Sequence, residues 1–440
     1  MENKTTLITK GSFTFGPRLK FLMLTFALIV FYTTLLFSAT IYIDPSYTGS
    51  TQNGAMSTPY KSWTSVTFSN GNSYLQKKGT TYNSSSQIFI NSKTNVIIGA
   101  YGTGDKAKFS YTGSGYAFRV ENSSYCTIQD FEVDGNINAN SLVYVAGTSS
   151  NYSNNIKIQN CHLHNAHNTN TAGFGVLGWY NNNLKLLNTE IHNVAIDGLY
   201  LAYNINLEVG YCNIYDLNRR YFVNTNQSAS SGDGIQLDGN YDGFHIHHTI
   251  IDRSNGAGNK HNLILNSLGS SNNATGILEY NTFITPGNVT SAVSIVRGNG
   301  IITRYNTFKG STGALRLGAD SKNNLVHNNL FYNCSYGVAV TYIYDGNASH
   351  PCTGTQVYNN VFYNTGRHIS LDKTNVVSRN NIHYRTNSTD VAIYNYGGGS
   401  WTISHNCYSS AAAAGAPGTG SSPVIGDPKF VNPSTFDFHL

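Results

Sequence analysis

YNTFITPGNVTSAVSIVRGNGIITRYNTFKG, residues 280–310, carries the same tetrapeptide twice, 25 residues apart. Downstream, NNLF (328–331), NNVF (359–362), NNIH (380–383) and HNCY (405–408) continue the pattern. One column is always asparagine, at 281, 306, 329, 360, 381 and 406, with steps of 25, 23, 31, 21 and 25 residues. Upstream it runs on through Cys161, Thr189, Cys212 and Thr249, in NCHL, NTEI, YCNI and HTII. Between rungs lies a second short apolar alternation: GIQLDG, NLILNS, AVSIVR, ALRLGA and YGVAVT. Strands this short, with Asn and Gly at the corners, suit a coil that rises one strand spacing, about 4.8 Å, per turn. Identical residues then sit above one another, and stacked Asn amides hydrogen-bond along the column. The period-two alternation sends Ile235, Leu237, Leu263, Leu265, Val293, Ile295, Leu315 and Leu317 inward and their neighbours outward. The expected fold is all-β: a single-stranded parallel β-helix, with about ten coils over residues 120–410.

Composition fits a solenoid rather than a set of globular domains. Charged residues are only 11% of 440, whereas 40% are hydrophobic and 12% aromatic, which excludes disorder. Residues 1–39 are a different material. Lys4, Lys10, Arg18 and Lys20 precede an uncharged apolar run at 21–39, which reads as a secretory signal or, uncleaved, as a membrane anchor. Either places the protein outside the cell or at its surface, and membrane association is expected only with the anchor retained. Removing 1–39 takes away four positive charges and one negative, so the formal charge falls from +5 to +2 and no nucleic-acid patch is implied. The remainder, 40–440, reads as one β-helix domain: entry cap and first coils at 40–120, regular coils at 121–410 and a final coil at 411–440. Cys334 and Cys352 flank one loop and are the expected disulfide; Cys126, Cys161, Cys212 and Cys407 read as buried thiols. No Gly-rich phosphate loop opens a helix, so no nucleotide or redox cofactor is indicated.

The chain resembles the secreted right-handed parallel β-helix proteins of the pectate lyase-like superfamily, nearest the chondroitinase B and alginate lyase group. Residues 41–63 resemble the entry segment of many of them, and DPKFVNPSTFDFHL (427–440) resembles their last coil, which usually runs on further. That resemblance implies a right-handed coil, a monomer and an acidic polysaccharide as partner. It is specific for fold and weak for reaction, because one solenoid hosts many chemistries.

The longest coils cluster: the steps from Cys212 to Thr249 and from Thr249 to Asn281 are 37 and 32 residues. Their excess forms loops at 217–231, 253–259 and 285–291 on one side of a strand ladder and at 267–274 and 343–354 on the other, which makes a groove. On its floor Asp197, Asp233, His261 and Ser291 are expected in one column, Asp238, Asn266 and Val296 in a second, and Gln236, Ile264, Ser294 and Arg316 in a third. The favoured reading is a polysaccharide lyase, whose β-elimination needs a carboxylate neutraliser, a base and an acid. Arg297 resembles the arginine of the alginate lyase group and is assigned to the carboxylate, with His261 or Lys260 as base. The group's catalytic lysine has no counterpart: Ser267 stands in its place. Arg316, Asn266, Gln236 and Tyr203 are expected substrate contacts, and Asp233 and Asp238 are expected to hold Ca²⁺ or to orient His261. Two other readings stay open. One is a polygalacturonase-like hydrolase using Asp197 and Asp233. The other is a non-catalytic glycan-binding surface offering Tyr200, Tyr203, Tyr241, Tyr342 and Tyr344.

Overall fold

A computed structural model describes residues 38–440 apart from 167–172, 218–231, 256–259, 267–273, 286–290, 311, 342–351, 373, 398, 411, 413–417, 436 and 440. The signal or anchor segment and most of the predicted groove loops therefore lie outside the described residues. Among those described, no helix is long and apolar enough to cross a membrane.

Thr40–Leu440 is one compact unit. Among the described residues its strands form three parallel sheets of 14, 13 and 14 strands; successive coils add one strand to each, and Ser153–Asn154 is an extra strand beside Phe174–Asn182. The first sheet runs from Thr40–Ile43 to Ser400–Ser404, the second from Ile88–Asn91 to Val391–Asn395, and the third from Thr81–Ser84 to Val424–Ile425. The molecule is a right-handed parallel β-helix of about 11 turns.

The asparagine column is a continuous hydrogen-bonded ladder. Asn281 donates its backbone N–H and its side-chain Nδ2 to Asn306 Oδ1, both at 3.0 Å. The pair of bonds repeats from Asn306 to Asn329, Asn329 to Asn360, Asn360 to Asn381, and Asn381 to Asn406. Each Nδ2 also donates to a carbonyl of the preceding coil, as Asn306 does to Leu278 O at 2.9 Å. A buried corner leaves backbone groups that no strand partner reaches, and a carboxamide satisfies them with one acceptor and two donors. The residue before each ladder Asn takes a positive φ near 55°, as at Tyr280, Tyr305, Asn328, Asn359, Asn380 and His405. Asn tolerates that left-handed corner better than most residues, so the Asn-Asn dipeptide supplies both the turn and the rung.

Two residues beyond the ladder, Phe283, Phe308, Phe331 and Phe362 stack with centroids 4.7–5.1 Å apart, and His383 and Tyr408 extend the pile. All six are buried. The second-sheet register carries the predicted inward residues: Leu199, Ile235, Leu263, Val293 and Leu315 share one column, and Leu201, Leu237, Leu265, Ile295 and Leu317 another.

The expected disulfide is not present. Cys334 follows a third-sheet strand and donates to Tyr332 O and Phe308 O, whereas Cys352 precedes a first-sheet strand and donates to Thr341 O and Leu317 O. The loop they flank in sequence joins two different corners of the coil, so the thiols face different carbonyls. Cys407 is half-buried rather than buried.

Candidate functional site on the second sheet

The outward column of the second sheet reads Phe89, Arg119, Tyr144, Leu177, Tyr200, Gln236, Ile264, Ser294, Arg316, Ala339, Ser370 and Tyr394. Strand pairing thus puts Gln236, Ile264, Ser294 and Arg316 in one row, and Asp238, Asn266 and Val296 in the next, as expected. The loops expected to wall the groove lie largely outside the described residues. Ser294 is fully buried and Ile264 is 6% exposed, so the stretch expected to be its open floor is covered. Among the described residues a cleft of about 220 Å³ lies further on, lined by Arg316, Ala339, Ser370, Tyr336, Asp372, Tyr396 and, at its near end, Ser291 and Gly313. Its floor is low because Ala339 and Ser370 are small. The hydroxyls of Ser291 and Ser370 are buried there without a hydrogen-bond partner among the described residues. Past Tyr336 a second, more open hollow of about 470 Å³ includes Asn333, Asn364, Arg367 and Asp390. Arg367 lies 3.9 Å from the Tyr394 ring centroid and donates to the Tyr396 hydroxyl.

At the strand entry Asp197, Asp233 and His261 occupy consecutive coils, joined by backbone bonds from Gly198 N to Asp233 O and from Gly234 N to His261 O. Asn262 N donates to Ala292 O, which brings Ser291 into the same column beside His261. The carboxylates serve as caps for the next coil. Asp197 Oδ1 accepts from Gly232 N and Asp233 N at 3.0 and 2.7 Å, and Asp233 Oδ1 accepts from His261 N at 2.6 Å. Asp233 Oδ1 also meets the His261 ring at Nδ1, 3.2 Å away. Burial and then the neighbouring Asp233 charge push the Asp197 carboxyl up. Burial pushes Asp233 the same way, but the bond to His261, its charge and that of Lys260 outweigh it and hold Asp233 below the ordinary carboxylate range. The result is an ionised Asp233 gripping one side of an imidazole whose Nε2 meets no partner among the described residues; the side chain is 11% exposed.

Beneath this corner Arg253 is fully buried, and its three guanidinium nitrogens have no hydrogen-bond partner among the described residues. Its charge acts on Asp233 and Asp197 from inside the coil. Nothing in the sequence around Arg253 marks it as interior except the period-two count from Ile251, which the turn-like RSNG that follows obscures.

At the strand exit Asp238 is buried and accepts from Gln236 Nε2 at 2.8 Å. Burial and then the Asp238 charge push the phenol of Tyr200 up. Arg297 takes a φ of 60° as the strand ends, its N–H donating to Ala319 O at 3.0 Å. Tyr203 is 38% exposed and stacks on Tyr180 at 4.9 Å. Tyr241 is a correction: it is fully buried and donates its hydroxyl to Val296 O, so no sugar ring reaches it. Tyr342 and Tyr344 lie outside the described residues.

The sequence-predicted residues therefore fall into two groups. Lys260, His261 and Asp233 stand at the entry; Asp238, Asn266, Arg297 and Tyr203 stand at the exit, with Gln236 and Arg316 between. At ~3.3 Å per residue, Asp233 and Asp238 are about 17 Å apart along one strand. One Ca²⁺ with oxygen ligands at 2.3–2.6 Å does not span them, and Asp233 is engaged with His261. By the same rise Arg297 is about 20 Å from the His261 column. Sequence reasoning missed Ser370, Asp372, Arg367 and Tyr396; extending the Gln236-to-Arg316 column two more coils, through Ala339, reaches the first of them.

No family description matches the sequence, and no curated protein does. Solved structures do match. The lacto-N-biosidase of family GH136 from Eubacterium ramulus superposes with a TM-score of 0.56 at 11% identity, covering 92% of this chain and 71% of its own. The A-module of a mannuronan C-5 epimerase from Azotobacter vinelandii gives 0.54 at 12% identity, covering 81% and 91%. A PL6 alginate lyase in complex with a trisaccharide gives 0.54 at 11%, covering 89% of each chain. At these identities the likeness is one of fold: this chain shares the right-handed parallel β-helix with a hydrolase, an epimerase and a lyase.

Proposed function

We propose that the protein is an extracellular or cell-surface, carbohydrate-active β-helix that binds an acidic polysaccharide along the outer face of its second sheet and cleaves it by β-elimination. The observation that carries this reading is a cleft with a guanidinium in its lining and a carboxylate-held imidazole one coil from its edge. A carboxylate-held imidazole, His261 on Asp233, stands one coil from Ser291 at the near end. A guanidinium, Arg316, stands on the floor. A uronate unit has a carboxylate for Arg316 to neutralise, which makes the adjacent C–H acidic. His261 Nε2 takes that proton while Asp233 steadies the imidazolium that forms. Lys260, beside His261 at the strand entry, donates a proton to the departing oxygen. Tyr336 and Tyr396 offer ring faces to the sugars. Arg297, Asn266, Gln236 and Tyr203 then serve a more distant unit of the same polymer, and no step is routed through Ca²⁺.

The hydrolase reading is weaker. Asp197 and Asp233 are 2% and 1% exposed, and each spends an oxygen on backbone amides of the next coil, so neither reaches a glycosidic bond.

The test is incubation with alginate, pectate and chondroitin while following absorbance of an unsaturated product. We expect one of the three to give it. His261→Ala should lower turnover by about 10²–10⁴-fold, the usual worth of a positioned base, whereas Arg316→Ala should also raise KM. New reducing ends without that absorbance overturn the lyase in favour of a hydrolase. Glycan binding without either product leaves a binding module.

A further inference from the structure

On the third sheet, far round the coil from that cleft, the outward positions of three consecutive strands carry an unusual set. Phe131–Asp134, His162–Ala166 and Glu190–Val194 put Glu132, His162 and Glu190 in one column, and Asp134, His164 and His192 in the next. In a chain with only 14 histidines and 22 acidic residues, six outward positions in a row are all histidine or carboxylate. The ligand atoms of His162, Glu190 and His192 lie within 4.8 Å of one another, as do those of Glu132, His162 and His164. We propose that His162, His192 and Glu190 form a binding site for a borderline transition-metal cation, with Zn²⁺ the best fit, that ties two neighbouring coils together.

The geometry favours that trio over the other. His162 Nε2 and His192 Nε2 face each other at 2.8 Å, so at most one carries a hydrogen there and at least one offers a lone pair to the gap. Tetrahedral zinc with 2.0–2.1 Å bonds sets two ligating nitrogens about 3.3 Å apart, an opening of roughly half an ångström. Glu190 Oε2 is 3.9 Å from His162 Nε2. Its other oxygen accepts from the Tyr215 hydroxyl at 2.6 Å, and the Tyr215 ring stacks on His192 at 4.8 Å and 7°. Such outer contacts hold ligands in place at metal centres. Burial, and then the neighbouring imidazoles, push both His162 and His192 below their ordinary range, toward the neutral, ligating form. Glu132 is otherwise engaged: Lys108 Nζ lies 2.9 Å from it and 3.1 Å from Asp134, and His164 Nε2 is at 3.1 Å. With Glu190 42% and His162 30% exposed, a fourth position opens to solvent.

Calorimetric titration of the chelator-treated chain with ZnCl₂, paired with the visible spectrum after adding CoCl₂, tests this. The expected result is saturable uptake of one equivalent, intense tetrahedral Co²⁺ bands, and a higher melting temperature with zinc. His162→Ala and His192→Gln should weaken binding at least tenfold while melting as wild type does in chelator; His164→Ala and, on the first sheet, His247→Ala should bind normally. Absence of saturable binding, octahedral Co²⁺ bands, or binding that survives both His162→Ala and His192→Gln would overturn the site. The wild-type spectrum needs no variant, so a misfolded mutant does not decide the matter.

Discussion

Asn306 shows how much one side chain carries. Its Oδ1 accepts the backbone and side-chain N–H of Asn281, and its Nδ2 donates to Leu278 O, Arg304 O and Asn329 Oδ1. Removing it leaves buried donors and acceptors unpaired, each worth about 1–3 kcal/mol. Asn306→Ala should therefore destabilise the protein by on the order of 3 kcal/mol, read as a lowered urea midpoint; a change within about 0.5 kcal/mol, typical of surface positions, would mean the ladder is decoration. Asn281, Asn306 and Asn329 were legible in the sequence because a buried, repeated corner admits one solution and repeats it. His368 and His383 were not recognised as interior. They are fully buried, with Nδ1 atoms 2.9 Å apart. Burial lowers His368 from 6.5 to about 4, and His383 well below its ordinary value. The unfolded chain then takes up a proton below pH 6.5 that the folded one refuses until about pH 4. Stability is fully present above 6.5 and falls as pH drops through that window, by roughly 3 kcal/mol for His368 at about 1.4 kcal/mol per pKa unit. Urea midpoints between about pH 7 and pH 4 should show that fall in the wild type and a shallower one in His368→Phe; equal slopes would contradict it.

At the scale of the strand, alternation predicted position well and exposure poorly. The columns Gln236 to Arg316 and Asp238 to Val296 pair as read, because a one-residue slip would drive Leu237 and Leu265 out of the core. Accessibility depends on what covers the strand, which period two does not encode. The buried Ser294 and Ile264 show the cost: the open cleft lies beyond them, over Ala339 and Ser370. That Arg297 and His261 belong to opposite ends of their strands was legible, because it follows from register alone. Filling the floor tests this cleft. Ser370→Trp should raise KM for the polysaccharide several-fold with little change in stability, since its hydroxyl forms no hydrogen bond among the described residues and it lines the opening. An unchanged KM would place the substrate elsewhere.

The whole molecule is a stack in which each coil touches chiefly its neighbours, so stability and sites are both distributed along one axis. Such an architecture repeats its interior and varies its faces. The second-sheet face carries arginines against aromatic rings near both ends, Arg119 over Phe89 and Arg367 over Tyr394, while the third-sheet face carries imidazoles. The long track on the second sheet is what a linear polymer would use, and the claim that it does is the centre of this account. The most direct measurement is a crystal structure of His261→Ala soaked with an oligouronide. The account predicts sugars lying along the second sheet, with a carboxylate on Arg316 and a ring above Ala339 and Ser370. An oligosaccharide bound on the first or third sheet, with the cleft at Arg316 left open, would contradict it.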